Sequence, residues 1–273
     1  MGTRRQAGFT IVETVLFLGI SSLLVVTFIV GTGATINNQR YRDAVETFKS
    51  MLQEQYTDLS SVENARSNNW SCASNASISD QGATLNDQRG QSDCVLVGKY
   101  VRVDNDKISI YQVLGVGAAG TTVLNDIQDL KNNYTLNVST TEVDSKDMEW
   151  GTQIAWPATV NGAPNPQPKT PRKLGIFVVR SPDSGRIYTF TASDDDVPDV
   201  AALGPVAFAN MLITGNTVPG QGAQLICVAS NGLSNSSDRA VYLNSYAATT
   251  SAVELRTNDY IKTLTPAGTE TTC

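Results

Sequence analysis

The sequence predicts an α+β fold: a long N-terminal α-helix whose second half packs on an antiparallel β-sheet head. Three patterns carry that expectation. From Phe9 to Ile36 the chain is apolar or small, with Glu13 the one charged residue. From Tyr41 to Val62 apolar residues recur every three or four positions, the period of one helix face. Beyond Cys94, short alternating runs flank turn-forming residues, as strands of a sheet do.

Residues 1–8 read as a short basic leader, with Arg4 and Arg5 placed just before the apolar run. The stretch 9–36 is long enough to cross a hydrocarbon core of about 30 Å. The two arginines put the N-terminus on the cytoplasmic side and the remainder outside, by the positive-inside rule. Glu13 does not suit a plain anchor. A carboxylate inside hydrocarbon costs a few kcal/mol without a partner, so it is expected to have a function.

In residues 37–64 the pattern becomes amphipathic. Tyr41, Ala44, Val45, Phe48, Met51, Leu52, Gln55, Tyr56, Leu59 and Val62 form one face, with Gln55 its only polar member. Arg42, Asp43, Glu46, Lys49, Gln53, Glu54 and Asp58 lie between them, and Glu46 and Lys49 form a favourable pair three apart. No Pro or Gly occurs from Ala34 to Ala65. One helix is therefore expected from Phe9 to about Asn64, roughly 80 Å long at about 1.5 Å per residue. Gly19, Gly31 and Gly33 allow either local unwinding or close approach of a second helix.

The head, residues 65–273, opens with a Ser-, Asn-, Asp- and Gly-rich stretch, Ser67 to Gln91, read as a loop. Expected strands are 94–103 and 107–114 around an Asp104-Asn105-Asp106 turn, then 134–138. A second hairpin joins 174–180 to 186–192 through Ser181-Pro182-Asp183-Ser184-Gly185. Strands at 224–229, 239–244 and 252–256 complete the set, and 122–130 is a candidate short helix. Five prolines between Trp156 and Pro171 mark a loop, or a hinge between two sub-lobes.

Composition excludes several function classes. The chain has no histidine, which removes Ser-His-Asp and Cys-His catalysis and histidine metal ligation. An enzyme is not expected, and neither is a cofactor. A net charge of −6 argues against a general nucleic-acid binder, which needs a basic surface. Cys72, Cys94, Cys227 and Cys273 form no C-x-x-C pair, and an even number beyond the apolar run suits two disulfides in an exported domain. Three pairings exist and the sequence does not choose among them; shorter loops favour Cys72–Cys94 with Cys227–Cys273. Asp194-Asp195-Asp196 with Asp199 matches no EF-hand spacing and reads as a solvated acidic turn, so no metal is expected. The glycines at 115, 117 and 120 lack a surrounding β-α-β unit and read as a flexible connection. Trp70, Trp150 and Trp156 are candidates for packing or for an exposed adhesive surface.

Gly8-Phe9-Thr10-Ile11-Val12-Glu13, preceded by a basic leader and followed by an apolar helix, resembles the processing site of type IV prepilins. The resemblance covers roughly the first sixty residues. It implies a pilin-like fold, a cut after Gly8 by a prepilin peptidase, and N-methylation of Phe9. It also implies that Glu13 pairs with the N-terminal ammonium of a neighbouring subunit. The implied partners are other pilin subunits, the peptidase, the assembly machinery in the membrane, and membrane lipid before assembly. Nucleic acid would be met only through the filament. The implied location is a single pass through the cytoplasmic (inner) membrane, then a cell-surface pilus. Many pilins close their C-terminal region with a disulfide, which fits Cys227 with Cys273. Many also carry a proline in mid-membrane, and this helix has none. Loss of residues 1–8 removes two of the 20 basic residues against 26 acidic ones. An acidic head of this size suits a minor pilin. The alternatives are a pseudopilin of a type II secretion or DNA-uptake filament, and a signal-anchored surface-binding protein such as an adhesin.

Overall fold

The computed structural model describes residues 10–61, 70–80, 92–117, 125–141, 143–193, 197–200, 224–233, 239–244 and 247–273. Gly8, Phe9, Val62 to Asn64, Gly120 and the Asp194–Asp196 run lie outside the described residues.

Helix α1, Ile11–Ser61, is 51 residues long and continues through Gly19, Gly31 and Gly33 without unwinding. Its two halves differ in what they touch. In the outer half Tyr41, Ala44, Val45, Phe48, Met51, Leu52, Gln55, Tyr56 and Leu59 are all buried. That is the expected amphipathic face, Gln55 included. The Gln55 Nε2 donates to the Met51 carbonyl of its own helix (3.0 Å), so the polar intruder is satisfied without a partner in the head.

The strands are β1 Trp70–Cys72, β2 Ile78–Asp80, β3 Cys94–Asp104, β4 Lys107–Gly117, β5 Tyr134–Val138, β6 Asp144–Asp147, β7 Gln153–Ala155, β8 Thr159–Val160, β9 Ala163–Pro164, β10 Lys173–Arg180, β11 Ile187–Ser193, β12 Gln224–Ala229, β13 Arg239–Leu243 and β14 Val253–Thr257. Two short helices are α2 Asp126–Asn132 and α3 Asn258–Leu264. A six-stranded antiparallel sheet has the order β11-β10-β3-β4-β5, with β6 also paired to β4. A four-stranded sheet has the order β14-β13-β12-β7.

Helix α1 packs against both sheets. Val101, Val103, Ile108, Ile110, Leu174, Ile176 and Val178 of the larger sheet share one core with Ile154, Ile226, Val228, Val241 and Val253 of the smaller. The helix residues belong to that same core. The alternate residues Tyr100, Phe177 and Val179 face a second core, closed by Leu130 of α2 and Leu136. Strand β10 is thus buried on both faces, which is why Leu174 to Val179 reads as a continuous apolar run. Helix α2 is fastened to the β10–β11 hairpin by Asp126, whose carboxylate accepts from Ser184 Oγ and Tyr188 OH. Those two bonds hold its carboxyl below the usual aspartate range.

One turn joins the two sheets, and one tyrosine joins α1 to the smaller of them. The Asn105-Asp106 turn of the β3–β4 hairpin, with Asn105 at φ 61°, donates from Asn105 N to Arg172 O and accepts at Asn105 O from Ile154 N. Asparagine tolerates that left-handed backbone better than most residues. Tyr41, only 1% exposed, donates its hydroxyl to Val228 O (2.7 Å) and accepts from Arg239 N, so α1 hydrogen-bonds β12 and β13 directly.

Two expectations need correction. The stretch 67–91 is not all loop, because β1 and β2 pair as a small hairpin, with Cys72 of β1 bonded to Cys94 of β3. The proline-rich stretch is a braced crossover rather than a hinge. It leads from β7 in the smaller sheet to β10 in the larger, and its β8–β9 hairpin is held by the C-terminal tail. Ala158 N donates to Thr272 O (2.7 Å), Gly162 N donates to Glu270 O (2.9 Å), and Cys273 is bonded to Cys227.

Two phenylalanines of α1 test the division of the helix. Phe48 is 2% exposed and Phe28 is 71% exposed. Phe48→Ala is expected to lower stability by roughly 3–5 kcal/mol and Phe28→Ala by no more than about 0.5 kcal/mol, read by urea unfolding in detergent micelles. Equal losses would refute the packing of the outer half. A second expectation concerns alkali. Burial pushes the Tyr56 hydroxyl up to about 12, against the opposing effect of its bond to Thr189, and raises Tyr100 further. A group whose folded value is raised contributes its full stability below the unfolded value near 10 and loses it as pH rises toward the folded value. Stability is therefore expected to fall from about pH 10 upward, and Tyr56→Phe to shrink that fall. A pH series of unfolding midpoints measures it.

Candidate functional site

The inner half of α1 presents apolar side chains on every side. Ile11, Val12, Leu16, Phe17, Leu23, Phe28 and Val30 are all more than 60% exposed. None of its most apolar window is buried, and the helix is long and apolar enough to cross a membrane. Five of its hydroxyls bond within the helix. Thr14, Ser22, Thr27, Thr32 and Thr35 each donate to a carbonyl three or four residues earlier, at 2.8–3.1 Å. Such back-bonding lets a hydroxyl face hydrocarbon without an unpaired donor.

Glu13 is not bare. Its Oε2 accepts from the Thr10 backbone N–H (3.0 Å) and the Thr10 hydroxyl (3.0 Å). The Thr10 Oγ1 in turn accepts from the Glu13 N–H (3.3 Å). This is a capping box, Thr-x-x-Glu, in which the first and fourth residues satisfy each other's backbone donors at a helix start. The view that a plain anchor gains nothing from Glu13 is corrected, since the carboxylate caps α1. Both bonds from Thr10 fall on Oε2. The signal was legible as Thr10 three residues before Glu13.

The four cysteines pair as Cys72–Cys94 and Cys227–Cys273, with Cα–Cα distances of 5.7 and 5.5 Å. The second pair fixes the chain end to the outer face of the smaller sheet, beside Ala155, Ala229 and Leu225. A cleft of about 530 Å³ lies there, and among the described residues Arg172 and Arg256 are the charged side chains that line it. Both arginines are structurally engaged. Arg172 donates to Ala155 O (3.1 Å) and stacks 4.9 Å from the Trp156 ring. Arg256 pairs with Glu254 (3.1 Å) and lies over Tyr242.

The three tryptophans separate. Trp70 is buried, Trp156 is half-buried under Arg172, and Trp150 is exposed with Arg40 4.7 Å from its ring. They do not form one surface. Gly115 and Gly117 belong to strand β4, and Val97 and Leu136 pack against Gly115, which leaves no phosphate-sized gap at that position. Among the described residues, no three carboxylate or thiol side chains converge as metal ligands would. No family model, no curated protein and no solved structure matches this chain.

Loss of the capping box has a local readout. Thr10→Ala removes one side-chain donor and one acceptor, and is expected to cost about 1 kcal/mol of helix-end stability. Faster amide exchange confined to residues 11–14, with the head unchanged, is the expected result in micelles.

Proposed function

We propose that the chain is a structural subunit of a type IV pilus-like filament, cut after Gly8 and packed into the filament through α1. One observation carries this reading. The inner half of α1 is apolar all round, unburied and free of charge after Glu13, yet it continues unbroken into a half that is built into the head. A helix of that kind serves first in a bilayer and then among its own copies, because both surroundings accept an apolar cylinder. Glu13 is the one group on it that discriminates registers. A carboxylate costly in hydrocarbon is neutralised only when an ammonium of the adjacent subunit reaches it. In this reading the head stays outside the cytoplasmic membrane and then on the cell surface. A minor pilin fits the large acidic head, and a pseudopilin of a secretion or DNA-uptake filament shares the same physical argument.

A second reading, a signal-anchored surface-binding protein, draws on the capping box, because that gives Glu13 a use in an isolated chain. The two readings part at Glu13→Gln. Glutamine is accepted at the fourth position of a capping box, so an anchor keeps its helix start and its function. A filament loses the charge it needs, and incorporation into sheared filaments is expected to fall at least about tenfold at unchanged membrane level. Mass spectrometry of the native protein is the primary test. A chain beginning at Phe9, with or without an added methyl, supports prepilin processing. A chain beginning at Met1 or Gly2 overturns it.

A further inference from the structure

Trp150 occupies a backbone conformation it is poorly suited to. It lies at φ 56°, ψ 25°, in the left-handed region, which bulky residues rarely adopt. Gly151 follows at φ 68°. The turn is held from several sides. Thr152 donates from N and Oγ1 to Glu149 O (3.1 and 2.8 Å), Asn231 Nδ2 donates to Gly151 O (3.0 Å), and Thr47 Oγ1 donates to Glu149 Oε2 (3.2 Å). Asparagine or glycine would hold this turn at less cost. Tryptophan is present instead, and its side chain is left 51% exposed. Packing therefore does not explain it.

Its position does. The turn runs along α1 from Thr47, which bonds Glu149, to Arg40, whose guanidinium lies 4.7 Å from the indole ring. Arg40 is four residues beyond Ile36, the last exposed apolar residue of the inner half, or about 6 Å along the axis. Helical side chains lean toward the helix N-terminus, which for Arg40 is the direction of that apolar half. The headgroup layer on each side of a bilayer is roughly 5–8 Å thick, so the Arg40–Trp150 pair falls within it once α1 is inserted. Indole rings favour that layer, and arginine keeps its charge there against phosphate. The nearest acid on the turn, Glu149, is engaged two helical turns further from the membrane, by Thr47.

We infer that Trp150 and Arg40 form a lipid-headgroup contact that seats the head on the outer leaflet while the chain resides in the membrane. The inference rests on the membrane-crossing part of the proposed function and is independent of the filament. The test uses the full chain in phosphatidylcholine–phosphatidylglycerol vesicles, with part of the phosphatidylcholine brominated near the top of its acyl chains. The signal is the fluorescence of the wild type minus that of Trp150→Phe, which leaves the buried Trp70 untouched. Bromine is expected to reduce this difference signal at least about twofold, as for an interfacial indole. Arg40→Gln is expected to make the quenching insensitive to the phosphatidylglycerol fraction. Flotation of the vesicles is recorded in parallel. Chains that float with undiminished Trp150 emission overturn the headgroup contact while leaving the membrane reading intact. Chains that do not float overturn both. An emission shift confined to assembled filaments reassigns Trp150 to a neighbouring subunit and also overturns the lipid contact.

Discussion

Burial of one face of α1 is the constraint on which the rest of the structure depends. The stripe from Tyr41 to Leu59 lies in the same core as the inward side chains of both sheets. Neither sheet supplies that core alone. The smaller has four strands, none longer than six residues, and its inner face is closed by the helix. The Tyr41 hydroxyl adds direction to this apolar contact. It joins the helix to a carbonyl of β12 and an amide of β13, so rotation of α1 about its axis would break two hydrogen bonds. Hydrophobic area gives the attraction and one hydroxyl gives the register.

The same helix must also end its stripe abruptly. Below Tyr41 no residue of α1 is buried, and Asn37, Asn38, Gln39 and Arg40 separate the buried stripe from the exposed apolar half. Burial on a single face favours a fixed partner such as a sheet. Exposure on all faces favours a medium, lipid or like helices, that has no preferred side. The chain therefore carries two kinds of contact surface on one element, and the polar belt keeps them from running together. One disulfide acts on the outer face of the smaller sheet, where Cys273 closes a separation of 46 residues onto β12. Closing that loop contributes roughly 4 kcal/mol on a chain-entropy basis, away from the helix contact.

Much of this was legible in the sequence, and the exceptions have physical reasons. The buried stripe was readable residue by residue because a period of three and four over twenty positions has no other use. The hairpins at Asn105 and at Pro182–Gly185 were readable because alternation flanked turn residues on both sides. Strand β6, Asp144-Ser145-Lys146-Asp147, was not readable, because all four residues are exposed and it joins the sheet through backbone pairing with β4 alone. Strands β8 and β9 hid among prolines, since their hairpin is held by the C-terminal tail more than 100 residues later. Helix α3 was missed although Thr257 caps it, because a seven-residue helix with one buried side chain, Ile261, has no period to detect. At the N-terminus the charge of Glu13 masks a local signal, the Thr10 three residues before it that its carboxylate caps.

That bond changes the energetic problem Glu13 poses. An unpartnered carboxylate in hydrocarbon carries a few kcal/mol of cost. Two donors from Thr10 offset part of that cost within the single chain, without a second protein. They do not neutralise the charge, and they converge on one of its two oxygens. A carboxylate held in this way has a fixed position at the helix start, with capacity for a further cation. Capping and pairing are therefore successive uses of one group under the proposed function. The first holds the acid in place in the monomer, and the second draws on the charge that capping leaves uncompensated.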